Sequence, residues 1–275
     1  MSRAPASTTL SNDESVNILG VRVHATSMDR ALARIETLLA SGSKGYVCVT
    51  GVQGIMEAQN DSNLKRIING SALTIPDGRP TVWVGWLRGF FQMRQVTGPD
   101  MMLKIFSISA EKGYTHYFYG GNTGVAEELK NELTTAYPGA KVVGTYTPPF
   151  RPLNAEEEAE LIATVNDLKP DFFWVGISTP KQERFMDQYI AKLDTKLMLA
   201  VGAAFDIHTG RIKDAPYWMK FAGVQWLHRI YQDPSRLWRR YCVNNPRFVY
   251  HLMREFLGIA NYEGPSERSL EQGRM

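Results

Sequence analysis

Asp77 is the side chain of this sequence best placed to take a proton from a bound hydroxyl. It stands in residues 73–81, LTIPDGRPT. Leu73, Thr74 and Ile75 should end a buried strand, Pro76 cannot extend its hydrogen-bond ladder, and Gly78 permits an unusual turn. Pro80 suits the first turn of a following helix. The carboxylate should therefore sit in a strand-to-helix crevice, where open α/β sheets take their ligands. That position suits a catalytic base. The competing role, which the local residues alone favour, is a helix cap in a Pro-Gly turn.

Three other stretches carry chemistry of the same kind. Residues 120–124, GGNTG, should follow a strand and open a helix, so the backbone amides around Gly120, Gly121 and Gly124 can approach a phosphate at a positive helix end. They form neither a Walker A loop nor a full GxGxxG, and an ordinary tight turn is the alternative. Residues 178–183, STPKQE, belong to another strand-to-helix junction on the same sheet edge as Thr50 and Asp77. Gln182 there can donate and accept hydrogen bonds, as a sugar hydroxyl or nucleobase requires, or can be a solvated first-turn residue. Asp206 should close a strand over residues 197–205 and bind a ribose or sugar hydroxyl, unless it caps the turn at residues 208–210.

The C-terminal part mixes aromatic and basic residues. Trp218, Phe221, Trp226, Tyr231, Trp238, Tyr241, Phe248 and Tyr250 are interleaved with Arg229, Arg236, Arg239, Arg240, Arg247 and Arg254. Residues 211–254 hold nine Lys/Arg against two acids, a net +7, which leaves −4 for the rest of a chain whose total is +3. Such a segment suits an anionic membrane surface or nucleic acid. Arg236, Arg239 and Arg240 lie three and four apart, so they should share a helix face and close on a diphosphate. An amphipathic core helix with a solvated basic face is the bland alternative.

These side chains need elements to hold them. A strand over residues 16–23, a helix capped by Ser27, a strand at Gly45–Thr50, a helix over 54–60 and another capped by Ser62 lead to Asp77. Further strand and helix pairs follow at 114–119 and Val125–Ala136, Lys141–Tyr146 and Ala155–Leu168, and 171–178 and 180–193. Residues 81–92, TVWVGWLRGFFQ, fit either a buried helix or an exposed surface. Alternation of this kind predicts a Rossmann-like α/β fold: a mainly parallel sheet, helices on both faces, right-handed crossovers. Beyond Gly210 the strands should stop. The expected organisation is a disordered stretch at 1–13, a catalytic domain over 14–210, a helical appendage over 211–258 broken near Pro234 and Pro246, and a loose tail at 259–275.

Composition narrows the function classes. Cys48 and Cys242 are the two cysteines of the 275-residue chain, far apart, which fits a reducing cytoplasm rather than a disulfide framework. Neither HExxH, paired CxxC nor Asp-x-Asp occurs, so no metal is expected. The first dozen residues lack the apolar core of a signal peptide, and no uncharged apolar run is long enough to cross a bilayer. Membrane contact should then be peripheral.

Taken together, IPDG around Asp77, RQVTGPD from Arg94, YGG-x-x-G from Tyr119, STPKQE around Gln182, VGAAFD-x-x-x-G to Gly210, and DAPYW through GVQWLHRIYQDPSRLWRRY resemble the WecG/TagA/CpsF family of bacterial glycosyltransferases. The resemblance spans residues 16–257. It implies a Rossmann-like, metal-independent enzyme without a cofactor that moves a sugar from a UDP-sugar to a polyprenyl-diphosphate-linked sugar with inversion. By that likeness Asp77 is the base, Thr50, Arg94 and Gln182 line the pocket, and Arg229, Arg236 and Arg239 belong to an appendage that closes over the site at the inner face of the cytoplasmic membrane. It also implies self-association in solution. Relatives in teichoic acid synthesis carry Thr-x-Asn where this chain has Thr50-Gly51-Val52 followed by Gln53, so N-acetylmannosamine is not carried over, and a hexose, an N-acetylhexosamine or a uronic acid is expected as donor. The rivals are a nucleotide-dependent oxidoreductase using residues 120–124, which would want a fuller glycine fingerprint, and a nucleic-acid-binding module using the basic tail.

Overall fold

Alternating apolar residues in short strands give a sheet buried on both faces. The computed structural model describes residues 14–265, with the side chains of Tyr217 and Arg236 outside that description. The stretch expected to be disordered, 1–13, and the last ten residues of the tail also lie outside it. Strands β1 (Ser15–Ile18) and β2 (Val21–His24) lead into α1 (Met28–Ala40), β3 (Gly45–Thr50), α2 (Val52–Asn60), α3 (Ser62–Gly70), β4 (Leu73–Pro76), α4 (Arg79–Leu87) and α5 (Gly98–Lys112). Then come β5 (Thr115–Gly120), α6 (Val125–Ala136), β6 (Lys141–Tyr146), α7 (Ala155–Leu168), β7 (Phe172–Gly176), α8 (Lys181–Tyr189), β8 (Leu197–Ala200) and α9 (Ala204–His208). Three helices follow, α10 (Tyr217–Phe221), α11 (Gln225–Gln232) and α12 (Pro234–Phe256).

The six strands pair in the order β4-β3-β8-β7-β5-β6, all parallel. Tyr46, Cys48, Tyr117, Tyr119, Phe173, Val175, Met198 and Ala200 face a core shared with the β1–β2 hairpin and with α2, α3, α4, α7 and α8. Their neighbours Val47, Phe118, Phe172, Trp174, Leu197 and Leu199 face a second core with α1, α5, α6 and α9. The period of two in each strand thus requires a helical layer on both sides, the Rossmann-like α/β arrangement that the alternation predicts.

Several local expectations are corrected. Residues 16–23 form a hairpin, because Leu19 and Gly20 both take positive φ (53° and 82°) and turn the chain back. Asp61, not Ser62, caps α3: its carboxylate accepts from the amides of Asn63 and Leu64. The strand expected over 197–205 ends at Ala200, where Gly202 (φ 56°) turns the chain into α9, so Asp206 is a helical residue. Residues 81–92 divide into the end of α4 and an irregular loop. Pro246 does not break α12, although it removes one ladder bond. Packing carries the helix through, since Phe248 is buried in the first core and Arg247 Nη2 donates to Asn60 Oδ1 of α2 at 3.2 Å. The far end of α12 is fixed to the residue that follows α4 by the Arg88–Glu255 ion pair at 2.5 Å.

Candidate active site

The carboxyl ends of β4, β3, β8 and β7 open into a cavity of about 250 Å³, the place where an open α/β sheet presents its loop amides and side chains to a ligand. Its opposite wall comes from α10, α11 and α12 and the residues between them, with Lys220, Gln225, Trp226, Arg229, Arg240 and Tyr241 facing the strand ends. The site is therefore built from both the sheet and the C-terminal helices.

Asp77 stands on this wall immediately after β4. Its amide donates to Thr50 O at 3.0 Å, continuing the pairing of β4 with β3 by one residue, and the Val96 amide donates to Pro76 O at 3.0 Å. These bonds fix the backbone and leave the carboxylate pointing to the cavity. Gly78, with φ 84°, is the residue before α4, and no side-chain cap bond is made there, so Asp77 does not act as the cap of α4. Burial pushes its carboxyl up to about 6, partly countered by the guanidiniums of Arg229 and Arg240. A carboxyl group in that range can accept a proton near neutral pH and is a stronger base than an exposed aspartate.

Gly51 explains how close β3 and β4 come at this point. A Cβ built there would lie 2.7 Å from the carbonyl oxygen of Asp77, a backbone atom that cannot swing aside. Gly51→Ala should therefore displace Asp77. The expected outcome is a loss of about 1–3 kcal/mol in denaturant unfolding together with loss of activity; unchanged activity would show that Asp77 tolerates the shift.

Gln182 is 2% exposed, and its amide is engaged within the fold. Nε2 donates to Thr179 Oγ1 and Glu183 Oε1, both at 3.2 Å, while Oε1 accepts from the Gly202 amide at 3.1 Å. Gln182 thus joins the turn after β7 to the turn after β8 at the cavity wall. Glu183, 1% exposed, completes the group by accepting from Thr179 Oγ1 at 2.8 Å, and burial raises its carboxyl above the usual range.

Of the residues expected from sequence to bind substrate, the cavity brings together Asp77, Gln182, Asp206, Arg229 and Arg240. Thr50 lies just beneath the wall, 2% exposed, with its Oγ1 buried and unpartnered. Arg94 is exposed and off the wall; its guanidinium donates to Phe91 O and Met93 O and lies over the Trp86 ring at 5.9 Å, and its neighbour Gln95 faces the cavity instead. Gly120, Gly121 and Gly124 are not on the wall, because β5 lies beyond β7 in the sheet. Gly120 is demanded by packing: a Cβ there would meet Gly176 O at 2.5 Å. Arg239 is exposed away from the cavity, since one residue rotates a helix by about 100° and Arg240 takes the inward direction. Arg236 can be placed on α12 only by its backbone. The sequence reading missed Arg79 and Lys220, which add two cations to the wall, and Gln225, whose Oε1 accepts from Gln95 Nε2 at 3.5 Å. Arg79 had a signal, standing two residues after Asp77.

The aromatic residues of the C-terminal helices also divide. Trp226 and Tyr241 line the cavity and Phe248 is in the core, whereas Trp218, Phe221, Tyr231, Trp238 and Tyr250 are exposed. Among the described residues no helix is long and apolar enough to cross a membrane, and no group of three or more His, Cys, Asp or Glu could hold a metal ion.

Comparison with known proteins gives relatives that include the following. The N-acetylglucosaminyldiphosphoundecaprenol N-acetyl-beta-D-mannosaminyltransferase of Bacillus spizizenii (strain W23) is 24% identical over 219 residues, 79% of this chain and 82% of its own. That of Bacillus subtilis (strain 168) is 25% identical over 198 residues, 72% of this chain and 75% of its own. The Staphylococcus aureus (strain MRSA252) protein of the same name is 23% identical over 249 residues, 88% and 93% of the two chains. A sequence model described as the glycosyl transferase WecG/TagA/CpsF family matches residues 16–261, strand β1 through the end of α12 and the cavity between them, and the chain belongs to that family.

Proposed function

We propose that this protein transfers a sugar from a UDP-sugar to a polyprenyl-diphosphate-linked saccharide, with inversion, in the assembly of a cell-surface polysaccharide. One observation carries the reading: a carboxylate tuned to accept a proton near neutral pH shares a cavity with Arg79 and faces Lys220, Arg229 and Arg240 across it. In a single displacement the acceptor hydroxyl oxygen forms the new bond to the anomeric carbon, its proton passes to Asp77, and the bond from that carbon to the diphosphate breaks with its electron pair leaving on UDP. The leaving group gains charge and needs no proton, so one carboxylate suffices. The cations around the cavity offset that charge in place of a metal ion.

The C-terminal helices give the acceptor a route to the site. Their exposed Trp218, Phe221, Tyr231, Trp238 and Tyr250 suit the headgroup depth of a bilayer, and exposed Arg239 suits lipid phosphate. The protein in this reading works peripherally on the inner face of the cytoplasmic membrane, self-associates in solution, and uses neither a cofactor nor nucleic acid. The family and the names of its relatives make N-acetylmannosamine transfer to lipid-linked N-acetylglucosamine the first pair to test. Val52 lines the wall at the place where the resemblance implies an asparagine in teichoic acid relatives, with Gln53 beside it, which keeps hexoses, other N-acetylhexosamines and uronic acids in the comparison.

The test is UDP release over a donor panel with a short-chain lipid-diphosphate sugar as acceptor, with and without a chelator. One donor should give acceptor-dependent release that the chelator leaves unchanged. Release that stops with the chelator would overturn metal independence. Binding of NAD, or salt-steep binding of oligonucleotides without any donor turnover, would overturn the glycosyltransferase reading itself.

A further inference from the structure

Four glutamines line the cavity, Gln53, Gln95, Gln182 and Gln225, and three of them are bonded within the fold. Gln95 Nε2 donates to Gln225 Oε1 at 3.5 Å, and Gln182 bonds Thr179, Glu183 and Gly202. Gln53 differs. Its side-chain amide makes no hydrogen bond among the described residues, and its Oε1 is buried with no partner. An unmatched buried amide costs stability that a leucine in the same place would not, so its position on a cavity wall calls for a partner outside the chain. Thr50, three residues earlier, is in the same state, with Oγ1 buried and unpartnered.

The two residues belong to one junction. Gly54 lets α2 settle onto β3, since a Cβ there would lie 3.0 Å from Thr50 Cγ2, and Gly51 lets β3 approach the end of β4, since a Cβ there would lie 2.7 Å from Asp77 O. Gln53 stands between these contacts in the first turn of α2 and is held on the Asp77 side of the cavity, with Lys220, Arg229 and Arg240 facing it from the C-terminal helices. A sugar nucleotide has one orientation that suits this division: its diphosphate goes with the cations, and its sugar lies toward the base, where the acceptor hydroxyl must reach the anomeric carbon. A carboxamide offers a donor and an acceptor without charge, and its terminal torsion is broad, so it can turn either end to a ligand while its stem stays packed. Its complement is a hydroxyl or an acetamido group. A carboxylate at the same place would lie beside ionised Asp77 and be repelled.

We propose, resting on the UDP-sugar reading for the identity of the ligand, that Gln53 selects the donor by hydrogen-bonding a neutral group of its sugar, a hydroxyl or an acetamido. This is the role that the residue type alone suggests for Gln182, whose amide is already occupied.

The experiment is calorimetric titration of the full chain with UDP, UDP-glucose, UDP-N-acetylglucosamine, UDP-N-acetylmannosamine and UDP-glucuronic acid. Gln53→Leu removes the amide and keeps most of its volume. It should weaken whichever neutral UDP-sugar the unmodified protein binds best by about tenfold or more, and leave UDP unchanged. Its thermal midpoint should be unmoved or higher, because an unmatched polar group has gone; a glutamine with a purely structural role would lower it. Gln53→Glu keeps the shape and sets a second carboxylate near Asp77, so it should also weaken that UDP-sugar and spare UDP, and it gives the same comparison should Gln53→Leu not fold. Equal weakening of UDP and the UDP-sugar, unchanged binding of every UDP-sugar, or dependence on Gln53 for UDP-glucuronic acid alone would each overturn the proposal. Turnover of a donor whose binding ignores Gln53 would remove this role and leave the transferase reading standing. Binding that depends on Gln53 without any transfer would do the reverse, and no binding of any UDP-sugar would overturn both.

Discussion

Asp77→Asn should lower kcat by about 10²–10⁴-fold while leaving the protein folded and able to bind UDP. The substitution preserves shape and keeps the Asp77 amide on Thr50 O, so the strand end that carries the side chain is undisturbed. What disappears is the proton acceptor. The same assignment fixes the pH dependence. A base with its midpoint at about 6 is active in the carboxylate form, so kcat/KM should fall as pH drops below about 6, and that limb should be missing from whatever activity the asparagine variant retains. Stability moves the other way. The folded-state value is raised above the ordinary 3.8, so ionised Asp77 weakens the fold progressively as pH rises from about 4 through about 6. Asp77→Asn should therefore unfold at the same or higher denaturant concentration at pH 7. A structural cap would give the opposite pair of results, lost stability with kcat per folded molecule unchanged, and full activity in the variant would remove Asp77 as the base. Intrinsic fluorescence gives the binding control, because Trp226 lines the cavity.

How much of this was legible beforehand depends on what each residue is asked to report. Strands β3, β5 and β7 are legible because both of their faces are apolar, and a short run such as GYVCVT has few other uses. Asp77 is legible because Pro76 and Gly78 state in local terms that a strand stops and an unusual turn begins. The glycines at 120, 121 and 124 mislead for the same reason that they attract notice: a glycine is needed equally by a phosphate approaching the backbone and by the carbonyl of Gly176, which would lie 2.5 Å from a Cβ at Gly120. Which use applies depends on strand order, and strand order is set by long-range pairing that no local pattern carries. Arg239 and Arg240 pose a similar problem, since a run of arginines shows a basic helix but not its rotation. Gln182 stands out in the sequence for its donor and acceptor groups, and in the fold these bond to Thr179, Glu183 and Gly202 of its own chain. Pro246 overstated a helix break because tertiary packing at Phe248 and Arg247 outweighs one missing ladder bond.

Replacing both arginines that bear on Asp77, Arg229→Gln with Arg240→Gln, should cost at least about 10²-fold in kcat/KM and move the acidic limb upward. The loss follows from charge. In the proposed displacement the diphosphate gains negative charge as the glycosidic bond breaks, and Arg229 and Arg240 approach it from α11 and α12, opposite the base. Arg79 and Lys220 remain, which is why the loss should be large rather than complete. The sign of the pH shift follows from the same two groups. Both stabilise the ionised form of Asp77, so removing them favours the protonated form and the limb should lie above about 6 in the double variant. The two effects separate charge from packing, because a general loosening of the C-terminal helices would lower activity without moving the limb in a fixed direction. A double variant with an unchanged limb would show that neither arginine reaches Asp77 in the working enzyme, and a double variant with unchanged kcat/KM would exclude α11 and α12 from the leaving-group site.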